Sequence, residues 1–251
     1  MKYPQLILGM LAIFVYVGVE VTIQSNMGAL LKTPEFGSIS DSQNSRFISL
    51  YWGSLMIGRW TGAISVFNMN KSTKRILTII VPFIAFAIVL LVNYGRGNDV
   101  SDLYAYAICI AVVISGIFFG QEKPVKTLLT LAVLASIAMI IGMMTTGIVA
   151  TYAFMSGGLF CSVMWPCIFS LAVAGLGKYT SEGSAFLIMM ILGGAIIPPM
   201  QGAIADTSVG IHGSYIVAVI CFVYLVWHAW KTRQVLKKQG LDFDNMIGGG
   251  H

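Results

Sequence analysis

The stretch Gly158–Asp206 of this chain reads GLFCSVMWPCIFSLAVAGLGKYTSEGSAFLIMMILGGAIIPPMQGAIAD. It consists of two long apolar runs, rich in Gly, Ala, Ser and Met, that are joined by a short polar loop at residues 178–183. The second run ends in the pair Pro198-Pro199, which is followed by Gln201 and Asp206. About 20 apolar residues are enough for a helix to cross the ~30 Å hydrocarbon core of a bilayer. The stretch therefore predicts two membrane helices joined by a turn.

The composition of the whole chain is that of a membrane protein. Of its 251 residues, 57% are hydrophobic and only 10% are charged, whereas a soluble domain carries about 25% charged residues. So few charges cannot cover a surface in water, and lipid is the natural solvent for most of the chain. The net charge of +5 does not indicate nucleic-acid binding, because the basic residues lie at the ends of apolar segments and form no patch with interleaved aromatics.

Eight apolar runs are long enough to be interpreted as membrane helices. They cover residues 4–30, 46–68, 75–93, 103–119, 125–146, 150–176, 182–204 and 213–231. The alternation expected of a β-barrel strand is absent from these runs, and backbone groups in lipid must hydrogen-bond internally. We therefore predict an all-α polytopic bundle over residues 1–240 and a disordered cytoplasmic tail over residues 241–251.

The distribution of Lys and Arg predicts the orientation of the bundle. If the N-terminus is cytoplasmic, eleven of the 15 basic residues fall in cytoplasmic segments, three in outer loops and one, Arg59, within a span. Cytoplasmic loops of membrane proteins carry such an excess of positive charge. Omitting any one helix would reverse the alternation after it, so the charge pattern favours an even number of spans with both termini cytoplasmic.

An acidic residue lies in the middle of the first predicted span. Tyr16, Glu20 and Gln24 are spaced i, i+4 and i+8 and share one helix face, and Asn26 lies on a neighbouring polar face with Thr22. An ionisable residue within a span costs about 2.5–3.5 kcal/mol on insertion scales and indicates a functional site. Two interpretations remain: this face lines a cavity that binds a hydroxylated ligand, or Glu20 only bonds another helix.

The second predicted span contains a cation. Gly58 and Gly62 continue a row of small residues from Ser54, which would let another helix approach closely. Arg59 either reaches toward the cytoplasmic interface or pairs with an anion inside the bundle. Trp52 precedes Arg59 by seven residues on nearly the same face; it offers a flat apolar surface to a sugar ring, or serves only as a packing or interfacial residue.

Three prolines interrupt the spans of the opening stretch. Pro166 removes a backbone hydrogen bond from the sixth predicted span, and Pro198 and Pro199 are expected to break or kink the seventh. Transporters place binding sites at broken helices near the midplane. Gln201 follows the break and either binds a ligand hydroxyl or bonds a neighbouring helix. The topology places Gln201 in the outer half of its span, so Glu20 and Gln24 are the better ligand candidates.

Enzyme chemistry has little support in the sequence. The best pairing for an intramembrane serine protease is Ser156 with His212, but His212 lies in a predicted outer loop. No phosphate-binding glycine loop, HExxH motif or metal-spaced His/Cys cluster is present. We predict no enzymatic activity, no metal and no cofactor. The cysteines are interpreted as small packing residues in apolar runs: Cys109, Cys161, Cys167 and Cys221.

Four blocks of the sequence resemble a known family of transporters. They are YVGVEVTI (16–23), YWGSLMIGR (51–59), FCSVMWPCIFSLAVAGLGKYTSEGS (160–184) and GGAIIPPMQGAIAD (193–206). They are similar to blocks in the C-terminal half of sugar transporters of the major facilitator superfamily. More narrowly, they resemble the fucose/glucose/galactose:proton symporter family, and they occur in the order that the first, second, fourth and fifth helices of that half require.

The resemblance implies uptake of a hexose or deoxyhexose across a bacterial inner membrane, driven by a co-transported proton through alternating access. It implies that Glu20, Gln24, Asn26 and Gln201 face the sugar, and that no cofactor is needed beyond the coupling proton. Its partners would be a small sugar, the lipid bilayer and an N-terminal half-transporter bundle, which usually supplies the proton-coupling carboxylates.

Two features depart from the family pattern. The family's C-terminal half has six helices, whereas eight are predicted here; an extra helical hairpin, placed by preference at residues 75–119, would preserve the orientation. The chain also matches only one of the two halves. The alternative to a half-transporter is therefore a truncated or assembly-partner membrane protein that does not transport.

Overall fold

The structure, a computed structural model, describes residues 3–64, 67, 69–121 and 123–241. These residues form ten α-helices and contain no strand. The helices are α1 Pro4–Leu31, α2 Asp41–Ala63, α3 Lys71–Gly95, α4 Ala107–Gly120, α5 Pro124–Met144, α6 Gly147–Val173, α7 Thr180–Met189, α8 Gly193–Ala205, α9 Gly210–Gly213 and α10 Ile216–Lys238. A 3-10 segment precedes α4 at Ser101–Tyr106, and another separates α7 from α8 at Met190–Leu192.

Several helices begin where the local sequence signals a start. α1 and α5 begin with Pro4 and Pro124, and proline suits the first helical turn because its missing N–H has no partner there. Asn70 precedes α3, and its side chain accepts a 2.7 Å hydrogen bond from the backbone N–H of Thr73. Such a side chain satisfies one of the orphan donors of a helix N-terminus.

Seven helical segments of the described chain are long and apolar enough to cross a membrane, and the protein is a multi-pass membrane protein. They are Pro4–Leu31, Lys71–Gly95, Ser101–Gly120, Pro124–Met144, Gly147–Val173, Gly177–Ala205 and Gly210–Lys238. The predicted count of eight is therefore one too high by this measure. A helix does form at the second predicted position, but α2 contains Asp41, Arg46 and Arg59 and is too polar to qualify.

Helices α1 and α6 form the centre of the bundle. α6 packs against α1, α2 and α5, and α1 packs also against α8 and α10. Every residue of α6 from Phe154 to Met164 is buried. α2 also packs on α1 and α3, so protein rather than lipid surrounds much of it. This shielding explains how α2 accommodates polar residues that a lipid-exposed span would exclude.

Helices α3 and α4 lie at the edge of the bundle. α3 packs on α2 and α4, and α4 packs on α5. α3 buries only Pro82, Ala85, Phe86, Val89 and Asn93, and its other side turns Ile and Leu side chains outward, as a lipid-facing surface requires. The extra hairpin predicted at 75–119 corresponds to this pair of helices, and its status as an insertion stays a prediction.

The predicted break of the seventh span at its prolines is wrong, and the alternative, a kink there, stays a prediction. α8 continues through Pro198 and Pro199, and α6 continues through Pro166. The change from α to 3-10 geometry lies upstream of the proline pair, at Met190–Leu192. A proline leaves the carbonyl four residues earlier without a donor, here the carbonyls of residues 194 and 195. The 3-10 segment is therefore a separate feature, and the seventh span is interrupted before the prolines rather than at them.

Only part of the predicted row of small residues makes a close helix contact. A Cβ at Gly58 would overlap the Ser162 side chain of α6, whereas a Cβ at Gly62 would meet nothing within 4 Å. Ser54 uses its hydroxyl on Tyr106, 2.8 Å away. The close approach between α2 and α6 therefore occurs at Gly58, and Gly62 is not part of it.

One end of each of three helices meets the others through glutamines. The Gln5 side-chain amide donates to the carbonyl of Ala174 at 2.8 Å, and the Gln239 amide donates to Gln5 Oε1 at 2.8 Å. α10 ends at Lys238, and the backbone N–H of Leu241 bonds the carbonyl of Leu236. The rest of the predicted disordered tail, residues 242–251, lies outside the described residues.

Candidate functional site

The Glu20 carboxylate of α1 forms an ion pair with the Arg59 guanidinium of α2, at 3.3 Å between Oε1 and Nη2. The Glu20 side chain is 12% exposed, whereas that of Arg59 is 58% exposed. Of the two roles predicted for Arg59, the structure shows the pairing with an anion rather than a side chain that only reaches toward the interface. The pair is asymmetric, because the anion sits among packed helices while the cation lies on the open surface of the bundle.

The other two predicted residues of this helix face lie beside the pair. Tyr16 is buried, and its ring centroid lies 5.9 Å from that of Trp165 on α6. Its hydroxyl faces the Glu20 carboxylate but forms no well-aligned hydrogen bond within the described residues. Gln24 is half-buried, and its side chain makes no hydrogen bond with the described part of the chain. Tyr16, Glu20 and Gln24 thus form a polar strip on α1 with unused hydrogen-bonding capacity.

Two tyrosine hydroxyls that the sequence did not single out hold the backbone of this strip. Tyr51 on α2 donates to the Glu20 carbonyl at 2.6 Å, and Tyr215, just before α10, donates to the Ile23 carbonyl at 3.0 Å. Both tyrosines are fully buried. Tyr51 opens one of the resembling blocks, which was a usable signal; Tyr215 has no local signal, because its partner lies 192 residues away.

Removing either hydroxyl is expected to loosen α1 without large loss of packing. Each of Tyr51→Phe and Tyr215→Phe should lower stability by about 0.5–1.5 kcal/mol, the usual net value of a hydrogen bond. Thermal unfolding in detergent measures the change, with Tyr94→Phe on the exposed side of α3 as the control. Equal stability of all three variants would contradict the proposed role of these hydroxyls.

Gln201 and Asn26 belong to a separate polar network. The Asn26 amide donates to Gln201 Oε1 at 3.1 Å, and Gln201 Nε2 donates to Ser214 Oγ at 3.1 Å. The Gln201 side chain is fully buried, while Asn26 is half-buried. This chain of hydrogen bonds joins α1, α8 and the segment before α10, and it occupies both polar atoms of the Gln201 amide.

Trp52 lies on the open side of α2. Its side chain is about half exposed and meets the Tyr51 ring edge-on, with centroids 6.2 Å apart. Trp60 and Arg59 are exposed on the same helix, and Pro166 is exposed on α6. We call Trp52, Arg59 and Trp60 the open face of α2. Exposing a guanidinium to lipid costs free energy, so this face requires water or protein beside it.

A second charged cluster fixes the N-terminal end of α2. Arg46 is buried and donates to Asp102 at 2.9 Å and to the Asp99 carbonyl at 2.9 Å. The backbone N–H of Ser101 donates to the Asp99 carboxylate, and this bond holds the pKa of that carboxyl below its usual range. The cluster ties α2 to the loop between α3 and α4.

The pairing considered for a protease is not formed. The Ser156 hydroxyl donates to the carbonyl of Ala153 within its own helix. His212 lies 2.9 Å from the Gly142 carbonyl, 3.6 Å from Glu35, and packs edge-on against Phe36. Each group has its own partners, and neither activates the other.

The fold is that of part of a major facilitator superfamily transporter. The structure superposes on the crystal structure of the Escherichia coli fucose:proton symporter with a TM-score of 0.65 and 21% identity, over 92% of this chain and 43% of the symporter. That symporter is a major facilitator superfamily transporter. No family model matches the sequence.

The chain is homologous to bacterial sugar transporters. It is 31% identical over 227 residues to the glucose/galactose transporter of Brucella abortus, across 90% of this chain and 42% of that protein. It is 32% identical over 106 residues to the L-fucose-proton symporter of E. coli, across 42% of this chain and 24% of that protein. The chain thus spans less than half the length of the curated relatives it matches, which is consistent with a C-terminal half.

Proposed function

We propose that this chain contributes one half of the pathway of a monosaccharide:proton symporter that works by alternating access. The observation that carries the proposal is the polar strip of Tyr16, Glu20 and Gln24 in the middle of α1, in a chain homologous to glucose/galactose transporters. A sugar presents only hydroxyls and an apolar ring face. Carboxylate and amide side chains bond hydroxyls, and aromatic rings cover such a face.

The polar strip supplies the hydrogen-bonding groups, and tryptophans of α2 and α6 supply aromatic rings. Gln24 and Glu20 retain hydrogen-bonding atoms for sugar hydroxyls, and the partly exposed ring of Trp165 packs on Tyr16. Trp52 is about half exposed on the open face of α2. Gln201 and Asn26 bond each other, and Gln201 also bonds Ser214. They therefore connect α1 to α8 and rank below Glu20 and Gln24 as sugar ligands. The proposed ligand is an uncharged hexose or deoxyhexose.

The proposed partner is an N-terminal half-transporter bundle that lies opposite the open face of α2, so that this face borders the water-filled pathway between the halves rather than lipid. Exposing Arg59 to lipid would cost about 2.5–3.5 kcal/mol on insertion scales. The proposed location is a bacterial inner membrane with both termini cytoplasmic, in keeping with the charge distribution between loops. The coupling ion is a proton.

Uptake by reconstituted vesicles tests the function. The chain is reconstituted alone and together with the N-terminal half of the Brucella relative, and labelled glucose, galactose or fucose is added outside. Accumulation of one of these sugars is expected when an inward proton gradient is imposed, and a protonophore should abolish it. If neither preparation takes up or exchanges any of the three sugars, the proposed function is wrong.

A second candidate is a membrane protein that assembles with other helices but moves no solute. It draws support from the coverage, since the relatives are more than twice as long as the matched region. It predicts that no sugar raises the thermal stability of the protein. A ligand-dependent stabilisation that disappears in Gln24→Ala would count against it.

A further inference from the structure

Glu20 stands apart from every other described carboxylate of this chain. Asp41 and Glu182 lie in the first turns of α2 and α7, Asp206 follows α8, and the remaining described acids lie in loops or in a short 3-10 segment. Glu20 is the seventeenth of 28 residues in α1 and is nearly buried. A carboxylate at this depth is stable only with a permanent partner or with a proton.

The groups around Glu20 include one cation. Tyr16 faces it from α1, Tyr51 and Arg59 from α2, and Cys161 from α6. α8 carries no titratable side chain, and from the start of α10 the Tyr215 hydroxyl bonds the Ile23 carbonyl instead. Arg59 therefore provides the positive charge that compensates Glu20 within the described chain.

The unequal exposure of the two side chains decides which of them can move. Arg59 already lies largely in the open, so it can turn away on its long flexible side chain without being buried elsewhere. Glu20 is held by its position on α1, whose backbone is fixed by Tyr51 at this residue. If Arg59 leaves, the nearly buried carboxylate loses its compensating charge, and a proton on Oε1 or Oε2 can replace it.

We propose that Glu20 is a proton-binding site of the transport cycle and that Arg59 is the group a proton displaces. The site takes up one proton and becomes a neutral carboxylic acid, while Arg59 keeps its charge and turns toward the open face of α2. The pair thereby changes from net neutral to net positive. This inference rests on the proposed function, and it assigns the proton to the half of the transporter that the family pattern leaves without a coupling carboxylate.

Protonation also changes what Glu20 offers to a ligand. The carboxylic acid can donate a hydrogen bond as well as accept one. Gln24, one helical turn away, supplies an amide whose hydrogen bonds are unused. A sugar hydroxyl between them would be bound better once Arg59 has left, so proton and sugar favour the same state of the site.

The first test detects the proton directly and needs no transport. The full chain is reconstituted in lipid vesicles, and infrared difference spectra are recorded between acidic and alkaline buffer. A carbonyl band of a protonated carboxylic acid is expected, and it should be missing in Glu20→Gln but retained in Glu182→Gln. In the wild-type chain, a hydrophobic carbodiimide should modify the peptide with Glu20 in acidic but not in alkaline buffer, which keeps the test independent of the folding of any variant.

The second test separates this inference from the proposed function. In Glu20→Gln, an imposed proton gradient should no longer raise sugar uptake above the uptake that the same vesicles show without a gradient, whatever the sugar affinity of the variant. Gradient-driven accumulation in Glu20→Gln would overturn the inference and leave the function intact. Absence of any sugar exchange in the wild type would overturn the proposed function. In that case the infrared band and the carbodiimide labelling still decide whether Glu20 takes up a proton. If neither the band nor the labelling is found, the inference is wrong.

Discussion

Gly193→Ala is expected to destabilise the bundle strongly although it adds a single methyl group. Gly193 opens α8, and a Cβ there would overlap the backbone carbonyl of Phe14 on α1. A backbone contact cannot be relieved by a change of rotamer, so α8 must move away from α1. Overpacking of this kind costs about 1–3 kcal/mol and sometimes more, which exceeds the gain of about 1 kcal/mol from replacing glycine by alanine in a helix.

The same helix provides the control for this substitution. A Cβ at Gly202 would meet nothing within 4 Å, so Gly202→Ala should be neutral or slightly stabilising. Cys161, Cys167 and Cys221 are buried, and their reaction with a fluorescent thiol reagent on heating therefore reports unfolding. Equal unfolding temperatures for the two variants would show that α8 does not approach α1 as closely as described.

Two glutamines are expected to give opposite results when replaced by alanine. Gln201→Ala should lower stability by about 1–3 kcal/mol, because it removes two hydrogen bonds, to Asn26 and to Ser214, each worth about 0.5–1.5 kcal/mol. Sugar affinity, measured on the folded fraction, should change little. Gln24→Ala should leave stability unchanged and weaken sugar binding by about twofold to tenfold, since it removes one hydrogen bond to the ligand.

Binding of labelled sugar and thermal unfolding, measured on the same preparations, distinguish the two outcomes. A loss of affinity in Gln201→Ala at unchanged stability would make Gln201 a ligand group and reverse the ranking drawn from its burial. A stability loss in Gln24→Ala would show that the Gln24 amide supports the fold rather than the sugar.

The helical positions and the polar strip could be predicted from the sequence. Apolar run length locates helices reliably because the bilayer fixes it, and the four-residue spacing of Tyr16, Glu20 and Gln24 places them on one face. Run length also located α2, but this helix is less apolar than a typical membrane span, because one side packs on α1, α3 and α6 and the other carries the exposed Arg59.

The partners of the polar residues could not be predicted. Arg59 lies 39 residues from Glu20 and Gln201 lies 175 residues from Asn26, and no local pattern encodes contacts at such distances. From the sequence, Arg59 and Gln201 each have two possible roles, and only the packing of the helices distinguishes them. The effect of the proline pair could not be predicted for a related reason: whether a membrane helix continues through proline depends on the helices packed against it, and α8 continues through Pro198 and Pro199.

The hydrogen bonds from Tyr51 and Tyr215 limit how this half can move. Both hydroxyls bind carbonyls of α1 within one turn, from α2 on one side and from the start of α10 on the other. Rotation of α1 about its own axis would break both bonds at once and leave buried groups unsatisfied. α1 should therefore keep its orientation relative to α2 and α10 throughout a conformational cycle. In the proposed alternating-access cycle this half would then move as a rigid body, and the local change at the site would be confined to side chains such as Arg59.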